Sequence, residues 1–122
     1  MSDPWYHCCS SAKAFGGNPN DYLAIHQWLD RGKNHFSDFR HRALSHHSQG
    51  IWECQEVFGP VLTISTGARV PVKLIAEQHV LEDLGSIPSF KDWFSLIQPQ
   101  RWMSPKPQLL FKKANPLVKP QL

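Results

Sequence analysis

Seven histidines in 122 residues, five of them between His26 and His47, are the side chains best able to do chemistry in this sequence. A neutral imidazole binds zinc, iron or manganese through a ring nitrogen, and it exchanges protons near neutral pH. The stretch AEQHVLEDLG adds carboxylates, because His79, Glu82 and Asp83 fall on nearby faces of one short helix. His46, His47, His79 and His26 are therefore the candidate metal ligands, with His7 as a further imidazole from the N-terminal segment. Glu82 and Asp83 are the candidate catalytic groups, each able to serve as ligand, as orienting partner of a histidine or as general base. Arg40 and Arg42 flank His41 in FRHR and are candidates for holding the phosphate or carboxylate of a cofactor. Pairing with surface acids such as Asp38 is the simpler use for them. For any single histidine the simplest reading is a hydrogen-bonded core residue, and only the clustering argues for more. No H-E-x-x-H spacing occurs, so ligands have to converge from different elements.

The element that carries most of these histidines is predicted to be one long helix, from Lys33 or Asp38 to Phe58, closed by Gly59 and Pro60. Leu44, His47, Ile51, Cys54 and Phe58 form one row on it, and Phe39, Ala43, His46, Gly50 and Val57 form the next. On that geometry His46 and His47 enter the core, while His41 sits with Ser37, Ser45 and Ser48 on the solvent side. Gly50 weakens a helix interior, so it implies close approach of another segment or a bend at that point.

The flanking elements are read from caps and periods. Ser10 to Phe15 is expected to make a short helical turn stopped by Gly16-Gly17, and Asn18-Pro19 starts a helix that runs to about Arg31. Val61 to Ile75 alternates as a β-hairpin around Ser65-Thr66-Gly67-Ala68, with Pro71 placing its strand at an edge. Ala76 to Leu84 is a short helix, and Ser89 with Asp92 opens another that runs to Ile97. The predicted fold is thus α+β: a small helical domain around one long histidine-rich helix, with a β-hairpin packed on it. Residues 1–98 form the single globular domain, and residues 99–122 a basic, proline-rich arm.

Charge divides along the same line. After residue 98 there are five basic residues and no acid, whereas the rest holds eight basic residues against ten acidic ones. Nucleic-acid binding by the body is therefore not expected, and the arm, with Trp102 at its root, is the candidate contact for a protein partner. No apolar run is long enough to span a membrane and no signal peptide opens the chain, so a cytoplasmic protein is expected. Cys8, Cys9 and Cys54 make a poor disulfide set; Cys54 reads as a small buried hydrophobe, and Cys8 or Cys9 as a potential thiolate.

The stretches DYLAIHQWLD, HFSDFRHRALSHHSQGIWECQEVFG, RVPVKLIAEQHVLEDLGSIPSFKDWF and IQPQRWM together resemble a family of uncharacterised small bacterial and phage proteins, classed as a domain of unknown function. The resemblance implies a free-standing protein and carries no activity, substrate or cofactor with it. Serine stands at position 45, and Ser48-Gln49 precede Gly50, where a basic residue and an acid fit the family pattern better. Two functions follow from the residues themselves. One is a metal-binding domain for zinc, manganese or iron, with hydrolysis as one use of the metal. The other is a non-enzymatic interaction module, such as a phage or prophage accessory protein bound to a host complex, in which the histidines are structural.

Overall fold

The computed structural model describes residues 3–105, and the greater part of the predicted arm, 106–122, lies outside them. Helix α1 spans Pro4–Phe15, starting earlier than expected because Asp3 caps it: its carboxylate accepts from the Tyr6 N–H at 2.9 Å, with Pro4 at the first helical position. After Gly17 the Asn18 and Asp21 side chains form a reciprocal cap over a 3₁₀ turn, Pro19–Tyr22, that leads into α2, Leu23–Leu29. Asp21 also accepts from the Ser65 N–H and hydroxyl, which ties the hairpin tip to this corner.

The long histidine-rich helix is replaced by three pieces. Arg31–Asn34 and Phe39–Leu44 are 3₁₀ turns, and the α-helix proper, α3, covers only Ser48–Phe58. Its N-cap is His47, held in extended geometry, whose Nδ1 accepts from the Gly50 N–H at 2.9 Å. The His47 Nε2–H donates to the Ala43 carbonyl at 3.0 Å, so one imidazole closes the turn before the break and opens the helix after it. Gly50 is where the chain folds back on itself. A Cβ there would stand 2.0 Å from the Ser45 carbonyl oxygen, which only glycine avoids.

Strands β1, Val61–Thr63, and β2, Arg69–Pro71, pair antiparallel with Leu62 opposite Val70. The second strand is shorter than predicted. Pro71 caps helix α4, Val72–Leu84, and the Val72 N–H donates to the Pro60 carbonyl, so the chain turns helical four residues before Ala76. Gly85 ends α4 in the left-handed conformation. The predicted Ser89–Asp92 capping box opens α5, Phe90–Phe94, which stops short of Ile97.

This is the expected α+β class, mostly helical with one hairpin. Helix α4 lies between α1, α2 and α3 and contributes Val72, Ile75, Ala76 and Val80 to an apolar core completed by Cys8, Tyr22, Ile25, Leu29, Ile51, Cys54, Ile64 and Val70. Among the described residues no helix is long and apolar enough to cross a membrane.

Candidate metal centre

Beyond the apolar core, α2 and α4 each bury a histidine and, one turn later, an aspartate. His26 and Asp30 come from HQWLD, and His79 and Asp83 from HVLED. Residues four apart share a helix face, so both pairs point into the same space between the helices. The break before α3 sends His46 into that space as well, and the Trp93 indole N–H holds its carbonyl at 2.9 Å.

One ligand atom each from Asp30, His46, His79 and Asp83 lies within 4.8 Å of all the others. Asp83 Oδ2 stands 2.8 Å from His46 Nε2 and 3.4 Å from His79 Nε2, while Asp30 Oδ1 stands 3.1 Å from His79 Nε2 and 3.6 Å from His46 Nε2. Donors about 2.1 Å from a common ion are separated by roughly 3.0–3.4 Å in octahedral or tetrahedral arrangements. The observed spacings bracket that range, and all four side chains are at most 3% exposed.

The hydrogen-bond network fixes where the lone pairs are. Gln78 gives its amide N–H groups to the His7 carbonyl and to Glu82, so its oxygen accepts from the Ser11 hydroxyl at 2.6 Å. Ser11 Oγ in turn accepts from His26 Nε2–H at 2.7 Å, which leaves the lone pair of a neutral His26 on Nδ1. That lone pair takes the hydrogen of His79 Nδ1 at 2.9 Å. His79 Nε2 therefore aims a lone pair at two carboxylates. Such an arrangement requires positive charge between the groups, supplied by a proton or by a metal ion.

The titration of the groups follows from this. Burial, reinforced by His79 and His7, pushes His26 down to about 2 and keeps it neutral. Burial also lowers His46 against the pull of Asp83. For His79 burial is outweighed by the hydrogen bonds and charges of Asp30 and Asp83, which raise it. Both aspartates are lowered despite burial, Asp83 first by its bond from His46 and then by the imidazoles of His7 and His79 beside it, and Asp30 chiefly by His79.

The sequence candidates are distributed as follows. His46, His79 and Asp83 converge, with His26 behind His79 as its hydrogen-bond acceptor. His47 lies outside the cluster as the cap of α3, its ring edge-on to Phe90 and Phe94. Glu82 sits at the border, accepting from His7 Nδ1 at 2.7 Å and from the Ser10 hydroxyl. Arg42 reaches Asp83 Oδ1 at 3.7 Å, whereas Arg40 pairs with Asp38 on the surface and stacks on Phe36. His41 is not solvated. It is 1% exposed, since the 3₁₀ geometry of residues 39–44 turns it inward to 3.7 Å from Asp30 Oδ1. Asp30 is absent from the sequence-based candidates, although its four-residue spacing from His26 repeats that of His79 and Asp83.

The chain belongs to the family described as a domain of unknown function, DUF6915, whose model matches residues 2–103. No curated protein and no solved structure matches it.

Proposed function

We propose that this member of DUF6915 is a metal-binding domain whose centre is Asp30, His46, His79 and Asp83, loaded with a divalent transition metal such as manganese, iron or zinc. The observation that carries this reading is the polarity of the chain from Gln78 through Ser11 and His26 to His79, which leaves the His79 Nε2 lone pair facing Asp30 and Asp83. Mixed imidazole and carboxylate donors suit these ions. The partner behind His79 also suits them, since a ligating histidine ordinarily donates its other N–H to a fixed acceptor, as His79 does to His26, whereas His46 Nδ1 has no such acceptor. When bound, the ion supplies a Lewis-acid centre. Hydrolytic use needs access from solvent, and Arg42 and Glu82, beside the buried aspartates, are the groups placed to line such a route.

Full-length protein prepared without a histidine tag, stripped with chelator and titrated with manganese, iron(II) or zinc by calorimetry tests the reading. Saturable binding of one equivalent and a raised melting temperature are expected. Absence of both with all three ions rejects it.

A second reading, as an interaction module, is supported by Leu96, Ile97 and Trp102, which are 74%, 51% and 81% exposed at the root of the basic arm. Trp102→Ala in the full chain is then expected to abolish recovery of a protein partner without changing metal content. Unchanged recovery removes Trp102 from the contact.

A further inference from the structure

Two further imidazoles are oriented toward the same aspartates without a partner for the nitrogen they present. His41 Nδ1 lies 2.6 Å from the Asp38 carbonyl, and a carbonyl only accepts, so Nδ1 carries the hydrogen and the lone pair of a neutral ring is on Nε2. His7 Nδ1 lies 2.7 Å from Glu82 Oε1, a carboxylate that already accepts from Gln78, so the same assignment holds there. His41 Nε2 then faces Asp30 Oδ1 at 3.7 Å, and His7 Nε2 faces Asp83 Oδ1 at 3.3 Å. Both nitrogens are buried and have no hydrogen-bond partner, and Asp83 Oδ1 has none either, its cation Arg42 standing off at 3.7 Å. Leaving such groups unsatisfied costs about 1–3 kcal/mol each. Among the described residues five buried side-chain atoms are in that position, and three of them, His7 Nε2, His41 Nε2 and Asp83 Oδ1, border this one centre, which points to something that fits between them.

We infer that His7 and His41 are the fifth and sixth ligands of a six-coordinate centre made of four imidazoles and the two aspartates, fitted to Mn(II), Fe(II) or Co(II) in preference to zinc. The assignment rests on the metal-binding reading above and extends it. Neighbouring donors in an octahedral shell with bonds of about 2.1 Å stand roughly 3.0 Å apart. His7 has to close by about 0.3 Å and His41 by about 0.7 Å on the oxygens they face, so binding draws both imidazoles in toward a four-residue cluster that they now border. Zinc in buried protein sites is almost always four-coordinate, so a shell of six nitrogen and oxygen donors disfavours it. The six ligands come from α1, α2, the turn before α3, its connection and α4, so the ion cross-links most of the helices. A filled shell also leaves no position for a substrate, and the centre is then structural or redox-active unless a ligand departs.

Cobalt(II) titration of the tag-free, chelator-treated full-length chain tests this, because six-coordinate cobalt absorbs weakly in the visible and four-coordinate cobalt intensely. One cobalt per chain with the weak spectrum is expected, together with at least tenfold weaker binding and a several-fold more intense spectrum for His7→Ala and for His41→Ala. X-ray absorption on wild type loaded with manganese counts the nitrogen and oxygen neighbours directly, so the answer does not depend on the variants folding. Fewer than six neighbours, an intense cobalt spectrum for wild type, or two cobalt ions per chain overturns the assignment and leaves the metal-binding reading standing. No cobalt bound overturns both.

Discussion

Helices α2 and α4 build two interiors at once, one apolar and one polar, from adjacent positions. Ile25 and Leu29 on α2 face the apolar core with Ile75 and Val80 on α4, while His26, Asp30, His79 and Asp83 on the same two helices face the polar centre. All of these residues are essentially buried, yet the two interiors are stable for different reasons. An apolar side chain contributes about 1.5–3 kcal/mol on burial whatever its neighbours are, provided that the space is filled. A buried carboxylate costs several kcal/mol unless opposite charge and hydrogen bonds surround it, so the polar interior depends on each of its members and on whatever cation completes it.

The largest effects are expected where that difference is cut directly. Asp83→Ala should abolish metal binding and cost about 3–5 kcal/mol, because His46, His79 and His7 lose their shared anion. Ile75→Ala, in the apolar interior, should cost a comparable 2–5 kcal/mol, roughly what cavity formation in a core costs. Urea melts with and without chelator separate the two. Wild type and Ile75→Ala should both lose stability on chelation, and Asp83→Ala should not respond. An Asp83→Ala protein that still responds to chelator would mean that the ion sits elsewhere.

Gly50→Ala comes next, since it presses on the segment that joins the two interiors. The new methyl would overlap the Ser45 carbonyl, backbone that cannot move without carrying His46 out of the centre. A loss of about 3 kcal/mol is expected, together with weakened metal binding, although residue 50 touches no ligand atom. Normal binding in a destabilised Gly50→Ala chain would show that His46 holds its place independently of the turn.

How much of this was readable in advance depends on whether local chemistry or convergence decides an element. The Asn18 and Ser89 caps, the stops at Gly16, Gly59 and Gly85 and the turn at 65–68 are local, and the sequence pattern placed them correctly, whereas the helix expected to run to about Arg31 ends at Leu29. Gly50 was legible as a close approach. The partner, the backbone five residues earlier in the same chain, was not. Helical spacing runs unbroken through residues 44–58, so periodicity carried one helix across the break at Ser45–His47. Histidine is not among the usual N-cap residues, although here the His47 ring performs the capping itself by accepting from the Gly50 N–H. The 3₁₀ geometry of residues 39–44 turned His41 inward, against its serine-rich helical face. In the sequence Asp30 reads as an acid at a helix end. Only comparison of HQWLD with HVLED, two fragments 53 residues apart that meet through His26 and His79, brings it forward.

A smaller effect is expected from acid on the metal-free protein. The unfolded chain takes a proton on each histidine near pH 6.5, whereas His26 resists protonation down to about 2, and burial lowers His46 and His47 as well. Below pH 6.5 the unfolded state thus binds more protons, and stability falls as pH falls. His26 alone accounts for about 1.4 kcal/mol per pH unit once the unfolded imidazole is fully charged. His79, raised by its aspartates, acts in the opposite sense: its contribution is complete below pH 6.5 and fades as pH rises through its folded value. The chelated protein should therefore be most stable near pH 6.5. Urea melts at pH 5, 6, 7 and 8 check this, and a curve flat from 7 to 5 would remove the neutral His26 from the network.

The smallest effect concerns the thiols, and it tests how far the apolar interior extends into α1. Cys8 and Cys9 are neighbours in sequence, but successive residues on a helix diverge by about 100°, and only Cys8 turns inward. Burial, with some help from the charges of Cys9 and Asp3, pushes Cys8 up to about 11, and burial pushes Cys54 up to about 12. The thiolate is the reactive form, so at pH 8 both should resist alkylation in the native protein while exposed Cys9 reacts. Mass spectrometry after iodoacetamide treatment should find one modified thiol per native chain and three in urea. Labelling at Cys9 should change stability by less than about 0.5 kcal/mol, as a surface modification does. The reaction of Cys8 reports on the polar side as well, because His7, its neighbour on α1, contacts Asp83. If chelation speeds alkylation of Cys8 while Cys54 stays protected, α1 is the helix that the ion fastens to the rest, and the two interiors are coupled through it. Equal protection with and without chelator would instead show that α1 is held by apolar packing alone.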